Sequence, residues 1–221
     1  MRLYLATVAA PEIQWATKAG LLDGIVATPA VLSAELPQAD PREVLAELAE
    51  RSALPIFASV PSLDAEEIYR QGKALGKIAE HLIVAIPLVD DALPALRRLS
   101  ADGVRCAATF VHSVAQGILA ARAGAAHVVV PVDALEAVGH PSDDVIRGLR
   151  AAFERWTVEC DVVAAGPSSA TRFGELAAAG ADAAVLPPAS LRAFLQHPLT
   201  DRGIDRFLGD VSRRAKPRRT K

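Results

Sequence analysis

Short apolar runs alternate with longer amphipathic stretches along the whole chain. The apolar runs have the length of β-strands, and Leu82–Ile86 and Val128–Val130 are continuously apolar rather than alternating. This pattern is typical of strands in a parallel sheet that is covered on both faces. We therefore predict eight strands, over Arg2–Ala6, Gly24–Ala27, Pro55–Val60, Leu82–Pro87, Val104–Phe110, His127–Val132, Cys160–Ala165 and Ala183–Leu186.

The stretches between the predicted strands carry start and stop signals of helices. Asp40, Pro41 and Glu43 form a capping arrangement in front of an apolar stripe that includes Leu45 and Leu48. Several predicted helices end in a glycine, which suits the left-handed position at a helix C-terminus. The glycines are Gly20, Gly103, Gly124 and Gly180. The repetition of helix, glycine and strand indicates a βα architecture.

Eight such units predict an α/β protein built as a single (β/α)8 TIM barrel. An open doubly wound sheet uses the same elements, but no G-x-G-x-x-G turn follows the first strand. Beyond the eighth strand, Ser190–Gln196 and Asp201–Arg214 exceed what barrel closure requires, so we predict a C-terminal helical extension. We place the barrel and this extension in residues 1–210 and interpret residues 211–221 as a basic, disordered tail.

The net charge and the lengths of the apolar runs argue against several classes of protein. Lysine and arginine number 24, aspartate and glutamate number 26, and the formal net charge is −2, so no net field attracts nucleic acid or an anionic membrane. No apolar run reaches the roughly 18 residues that a membrane-spanning helix needs. The first six residues lead directly into the first strand and show no signal peptide. We expect a cytoplasmic protein that binds neither nucleic acid nor membrane.

The spacing of cysteines and histidines gives no sign of a metal site. Cys106 and Cys160 lack any CxxC or Cys/His arrangement, and we predict two buried free thiols. We predict no metal and no cofactor. The chain has few lysines, of which three fall on predicted outer helices and two in the tail. They are Lys18, Lys73, Lys77, Lys216 and Lys221.

The active site of a (β/α)8 barrel forms at the carboxyl ends of its strands, so the residues there are the candidates for chemistry. They supply hydroxyl groups, one carboxylate and one imidazole, but no lysine, arginine, tyrosine or glutamate. The candidates are Ala6, Thr7, Thr28, Ser59, Ala85, Thr109, His112, Ser113, Pro131, Asp133, Gly166, Ser168 and Ser169.

Several motifs resemble those of the small transaldolases and fructose-6-phosphate aldolases, from Arg2 to about Asp210. They are Gly20–Gly24, Ile83–Pro87, Ala115–Gly117, Ala123–Ala125 and His197–Gly203. The resemblance implies a barrel of sugar-phosphate metabolism whose C-terminal helix reaches a neighbouring subunit in a homo-oligomer, a pentamer or a decamer. It also implies that a lysine on the fourth strand forms a Schiff base with a ketose phosphate.

The sequence departs from the family pattern at the positions that the Schiff-base reaction requires. Ala85 occupies the place of the lysine, and Ala6 occupies the place of the first-strand aspartate. Thr28 occupies the position where the resemblance implies a substrate-binding asparagine, and Ser59 occupies that of a glutamine. Of the polar residues that the resemblance implies, Thr109 remains, with Ser113 and Gln116 as further candidates.

The sixth and seventh strands depart as well. Pro131–Ala134 stands where the resemblance implies a segment with a catalytic tyrosine and a phosphate-binding arginine. Gly166 and Ser168 stand where it implies a serine and a basic residue. Because alanine has no amine, we predict no aldolase or transaldolase turnover by the family mechanism. The first hypothesis is a non-catalytic barrel with a structural or metabolite-binding role.

A second hypothesis is an enzyme with lysine-independent acid/base chemistry on a small carbonyl or phosphorylated substrate. Asp133 and His112 would be its base and acid, with Thr28, Ser59 and Thr109 as hydrogen-bond donors. The alternative interpretations are a solvated or helix-capping carboxylate for Asp133 and a packing or exposed histidine for His112.

A third feature is a candidate phosphate site. Gly166, Ser168 and Ser169 precede a predicted helix at a position where barrels often bind phosphate, and Arg172 lies one turn later. The alternative is an ordinary N-cap, formed by Ser168 or Ser169.

Overall fold

The computed structural model describes residues 1–215, and its eight parallel strands close into a barrel in sequence order. The first strand pairs with both the second and the eighth. This confirms the predicted (β/α)8 fold, with strand ends that differ from the prediction by at most two residues. The strands are β1 Arg2–Leu5, β2 Gly24–Ala27, β3 Ile56–Ser59, β4 Leu82–Pro87, β5 Cys106–Thr109, β6 His127–Pro131, β7 Asp161–Ala165 and β8 Ala183–Leu186.

Helices follow every strand, and some connections contain two. They are α1 Ala10–Lys18, α2 Pro29–Glu35, α3 Pro41–Arg51, α4 Ala65–Gly76, α5 Ala92–Ala101, α6 Val114–Arg122, α7 Val132–Ala137, α8 Ser142–Arg155, α9 Ala170–Ala178, α10 Pro188–Phe194 and α11 Pro198–Ala215.

Predicted helix boundaries have a physical basis in the structure. Asp40 is the N-cap of α3, and its Oδ1 accepts hydrogen bonds from the backbone N–H groups of Arg42 and Glu43 at 2.8 and 3.2 Å. All four predicted C-terminal glycines have positive φ angles, between 67° and 105°, which a residue without Cβ adopts without a steric clash. Both predictions are confirmed.

Two layers of apolar side chains hold the barrel together. Alternate strand residues point to the inside or to the helices, as the two-residue period of a strand requires. The larger layer lies between the strands and the helices, and the smaller inner layer includes Tyr4, Phe57 and Ile83. Cys106 and Cys160 are buried free thiols, as predicted, and burial raises the pKa of both to about 12.

The amino-terminal end of the barrel interior contains a group that we call the amino-end cluster: Arg2, Tyr4, Phe57, His127 and Asp161. Arg2 Nη2 lies 2.7 Å from Asp161 Oδ1. The Phe57 ring packs against Tyr4 at 5.0 Å and meets the His127 ring edge-on at 5.2 Å, both measured between ring centroids. The cluster therefore combines an ion pair with aromatic packing.

His127 is fully buried at the start of β6. Its Nε2 lies 3.2 Å from Asp161 Oδ2, but neither ring nitrogen has a well-aligned hydrogen-bond partner among residues 1–215. Burial acts to raise the pKa of Asp161, but His127 and Arg2 outweigh it and hold the pKa well below its usual range.

The first strand is tied down at the same end by the Asp23-Gly24 pair. The backbone N–H of Leu3 donates to Asp23 Oδ2 at 2.8 Å. A Cβ atom at Gly24 would lie 2.8 Å from the Tyr4 ring and 2.9 Å from the carbonyl oxygen of Pro55, so only glycine fits without movement. Asp23 and Gly24 of the Gly20–Gly24 motif thus stabilise the amino-terminal end of the barrel.

The chain forms two compact units, Met1–Pro188 and a C-terminal unit that begins at Ala189. The predicted domain 1–210 spans the first unit and most of the second. The predicted helical extension is present, but α11 continues to Ala215, so residues 211–215 are helical rather than part of a disordered tail. The remaining tail residues, 216–221, lie outside the described residues.

The helix continues into the predicted tail because its apolar stripe continues to Val211. Ile204, Phe207, Leu208 and Val211 recur at the spacing of one helix face, and all four are exposed. No helix within residues 1–215 is long and apolar enough to cross a membrane.

Candidate functional site

A cavity of about 540 Å³ opens at the carboxyl ends of the strands, where active sites of (β/α)8 barrels form. Phe57 and Val129 lie at its deeper positions, and Phe110 and Pro131 lie at its mouth. Most of its lining is apolar. Five of the candidate residues at the strand ends line this cavity, and they are Thr28, Ser59, Ala85, Thr109 and Pro131.

Three hydroxyl groups are the polar side chains of the cavity. Thr28 Oγ1 caps α2 by accepting a hydrogen bond from the Val31 backbone N–H at 3.2 Å, and its hydroxyl proton remains available. The hydroxyls of Ser59 and Thr109 have no hydrogen-bond partner within residues 1–215. These groups can offer a ligand directional contacts but no charge.

Ala85 lies on β4 beside these groups and is 5% exposed. Its Cα pairs with Ser59 on one neighbouring strand and with Ala107 on the other. A methyl group therefore stands at the position that the family resemblance assigns to the Schiff-base lysine.

Within the described residues, no charged side chain lines the cavity. Lys18, Lys73 and Lys77 are exposed at the ends and on the outer face of α1 and α4, as predicted. Lys73 Nζ donates to Asp102 at 2.8 Å, and this hydrogen bond raises the pKa of Lys73. A nucleophilic amine needs the opposite shift.

Ala6 does not line the cavity and lies partly buried against the inner layer. The next residue, Thr7, is fully buried and donates to both carboxylate oxygens of Glu35 at 2.8 Å. The Val8 backbone N–H donates to the same carboxylate at 2.7 Å. Sequence analysis missed Glu35, because no local motif connects it to a loop 28 residues away.

Asp133 requires a correction. It does not lie at the end of the sixth strand as predicted, because β6 ends at Pro131 and Asp133 lies exposed in the first turn of α7. Its Oδ1 accepts a hydrogen bond from the Ala134 backbone N–H at 2.9 Å. A carboxylate is favourable there because it meets the positive end of the helix dipole.

His112 lies half-buried between β5 and α6, as predicted, and its backbone N–H donates to Gln116 Oε1 at 2.8 Å. Neither His112 nor Asp133 lines the cavity. The structure therefore does not bring the two predicted acid/base side chains together with the predicted hydroxyl donors.

The predicted phosphate loop begins at Gly166, whose φ is 75°. Ser169 is the N-cap of α9 and accepts a hydrogen bond from the Arg172 backbone N–H at 3.2 Å, whereas Ser168 is exposed. A Cβ atom at Gly166 would lie 3.0 Å from the carboxylate carbon of Asp133. A carboxylate next to the loop disfavours a bound phosphate.

The Arg172 side chain is already occupied. Its Nη2 donates to Glu136 at 2.9 Å and to Ser142 at 3.0 Å, and its Nη1 contacts Glu175. The hydrogen bond with Glu175 has the largest part in raising the pKa of Arg172. The Ser169 cap agrees with the N-cap interpretation, and the Arg172 side chain joins α9 to residues of α7 and α8.

Phe110 is a functional candidate that sequence analysis missed. It follows β5 at the cavity mouth with φ of 60°, and its side chain is 59% exposed. An aromatic residue in the left-handed region is unusual, and the chain sequence carries no signal for it. Among residues 1–215, no group of histidine, cysteine, aspartate and glutamate side chains has the arrangement of a metal site.

Comparisons with known proteins agree with this geometry. The sequence model of a family described as Transaldolase/Fructose-6-phosphate aldolase matches residues 9–217. The chain is 32% identical to a probable transaldolase of Thermodesulfovibrio yellowstonii and 36% identical to one of Heliobacterium modesticaldum. Each alignment covers 95% of this chain and 97% of the relative.

A solved structure, described as a cube-shaped, highly porous protein cage designed by fusing symmetric oligomeric domains, has the same fold. Its TM-score is 0.62 at 15% identity, and the match covers 96% of this chain and 77% of the other. At this identity the likeness concerns the fold alone.

Proposed function

Because the chain belongs to the transaldolase/fructose-6-phosphate aldolase family, we propose that it is a non-catalytic member whose barrel has a structural or metabolite-binding role. The observation that carries the proposal is Ala85, which lines the cavity at the position implied for the Schiff-base lysine.

The missing amine stops the family reaction at its first step. In that step the lone pair of a lysine Nζ attacks the substrate carbonyl carbon, and water leaves as the imine forms. A methyl group has no lone pair to donate. The hydroxyls of Thr28, Ser59 and Thr109 cannot replace it, because an oxygen nucleophile cannot form an imine.

The proton-transfer groups are absent from the cavity as well. The lining includes no carboxylate, imidazole or phenol of residues 1–215. General acid/base catalysis requires such a group within hydrogen-bond reach of the reacting atom. This supports loss of the whole mechanism rather than replacement of one residue.

Borohydride trapping tests the proposal. The protein is incubated with dihydroxyacetone or fructose 6-phosphate, borohydride is added, and the intact mass is measured. Borohydride delivers hydride to an imine carbon and fixes any Schiff base as a secondary amine. We expect the mass of the natural protein to stay unchanged, and a stoichiometric adduct would overturn the proposal.

The variant Ala85→Lys serves as the positive control. It places an amine in the apolar cavity, where burial lowers the pKa of a lysine and so increases its neutral fraction. We expect this variant to be trapped with dihydroxyacetone but to show no sustained turnover. Ala151→Lys, at an exposed position of α8, is the matched control and is expected to remain untrapped.

We also propose that the protein is a homo-oligomer, a pentamer or a decamer by the family resemblance. The exposed apolar face of α11 supports this, since Phe207 is 65% and Leu199 is 66% exposed. Multi-angle light scattering is expected to give a mass several times that of one chain. Phe207→Asp should shift the mass towards the monomer, whereas a monomeric natural protein would contradict the proposal.

A further inference from the structure

The cavity that lacks catalytic groups retains the size of a ligand site. Its volume of about 540 Å³ lies within the roughly 300–1,000 Å³ typical of pockets for small molecules. Such pockets are mainly apolar, with a few polar groups that fix the orientation of the ligand. This cavity fits that description, because Thr28, Ser59 and Thr109 supply hydroxyls within otherwise apolar walls.

From this lining we infer that the cavity binds an uncharged, largely apolar small molecule with one or two hydrogen-bonding oxygen or nitrogen atoms. The inference rests on the proposed function, because a Schiff-base enzyme would need the same space for a sugar phosphate. The unpaired hydroxyls of Ser59 and Thr109 bind the polar atoms of the ligand.

The lining also argues against a phosphorylated ligand. Moving an ionised group from water into apolar surroundings is strongly unfavourable unless an opposite charge compensates it. No cation of residues 1–215 lines this cavity. Arg172 lies outside it and is held by Glu136 and Glu175, and the Asp133 carboxylate lies next to the loop at Gly166.

Phe110 supplies an apolar surface at the mouth. Its ring is 59% exposed and its backbone is held in the left-handed region. An aromatic residue in this conformation is strained and persists only where the surrounding structure holds it. A flat apolar ligand that enters the cavity can cover the ring and remove its surface from water.

Charged groups also line a neighbouring hollow of about 360 Å³, which shares Pro29, Ser59 and Pro61 with the cavity. It is lined by Arg42 and Asp40, so its charges are of both signs. Arg42→Ala therefore tests whether an acidic group of a ligand extends into this hollow. We expect this variant to bind like the natural protein.

Titration with N-phenyl-1-naphthylamine, an uncharged dye that fluoresces in apolar surroundings, tests the inference. We expect saturable binding of one dye per chain. Ala85→Leu and Ala165→Leu both fill the cavity, and each should weaken binding by about tenfold or more, which corresponds to about 1.4 kcal/mol. Ala151→Leu, exposed on α8, is the matched control and should bind like the natural protein.

Circular dichroism and thermal melting identify the variants that fold. Unchanged dye affinity in both folded cavity-filling variants would overturn the inference. Loss of dye binding in Phe207→Asp would overturn it as well, because the dye would then lie on α11. Competition by fructose 6-phosphate or inorganic phosphate, or weaker binding in Arg42→Ala, would assign the site to an anion instead.

The two proposals fail in different ways. A borohydride adduct on the natural protein overturns the non-catalytic proposal, whatever the dye does. A protein that is not trapped and does not bind the dye in its cavity keeps that proposal and overturns only the inference about the ligand.

Discussion

The two ends of the barrel interior contrast in charge and in packing. At the amino-terminal end, Asp161 is paired with Arg2, and the rings of Phe57 and His127 fill the space beside them. At the carboxyl end, the interior opens into a cavity whose lining is uncharged. The charged residues of this interior thus stabilise the fold, whereas at the end where barrels carry out chemistry no charged side chain of residues 1–215 lines the cavity.

The motif residues follow the same division. Asp23 and Gly24 hold the first strand and make room for Tyr4 at the amino-terminal end. Ala85 and Pro131, where the family resemblance implies catalytic residues, line the cavity at the opposite end. The motif residues that carry the family likeness therefore include parts of the fold rather than of the reaction.

The largest loss of stability is expected when the carboxylate at the amino-terminal end is removed. Asp161→Ala leaves Arg2 and the buried His127 without their carboxylate, and we expect a loss of about 2–3 kcal/mol in the free energy of unfolding. Chemical denaturation measures this loss. Asp161→Asn keeps the shape and an acceptor oxygen and should lose less, and a loss below about 0.5 kcal/mol in Asp161→Ala would contradict the role of the cluster.

The same carboxylate predicts a dependence of stability on acid. Its pKa is held below the usual value in the folded protein, so its contribution is present above about pH 4 and is lost as the pH falls below that. We expect the natural protein to lose stability between about pH 4 and pH 2 more steeply than Asp161→Asn. Parallel curves for the two proteins would contradict this expectation.

A smaller effect is expected from Glu35, the carboxylate that holds the loop after β1. Glu35→Ala leaves the Thr7 hydroxyl and the Val8 N–H without their acceptor, and we expect a loss of about 1–2 kcal/mol in unfolding free energy. Glu47→Ala is the control, since Glu47 is exposed and pairs with the exposed Arg51 on the same helix. Equal stability of both variants would mean that Glu35 has no structural role.

The smallest effect is expected for Arg172, outside the cavity at the same end of the barrel. Arg172→Ala removes contacts to Glu136 and Glu175, and we expect a loss of about 1 kcal/mol or less, with unchanged dye affinity. Inorganic phosphate should not raise the melting temperature of the natural protein. A phosphate-dependent rise that disappears in Arg172→Ala would show that the loop at Gly166 is an anion site.

The fold was predictable from the sequence because it depends on local and periodic signals. The apolar runs place eight strands, and Asp40 and the C-terminal glycines mark helix ends. The position of Ala85 in the cavity followed from its strand and from the family likeness. Such signals extend over a few residues and can be identified without knowledge of the tertiary contacts.

Long-range contacts and backbone conformation were not predictable. Glu35 reaches a loop 28 residues before it, and no spacing rule connects the two. Asp133 was assigned to a strand end because a helix that starts directly after Pro131 resembles a continued apolar run. Phe110 adopts the left-handed region although its residue type disfavours it, so its conformation could not be inferred from the sequence.

Phe110 also has a calorimetric consequence. Its exposed ring keeps water against apolar surface at the mouth of the cavity. A ligand that covers the ring releases this water, and burial of apolar surface gives a negative heat-capacity change of binding. The binding enthalpy of an apolar ligand should therefore become more favourable on warming, and this slope should be shallower in Phe110→Ala.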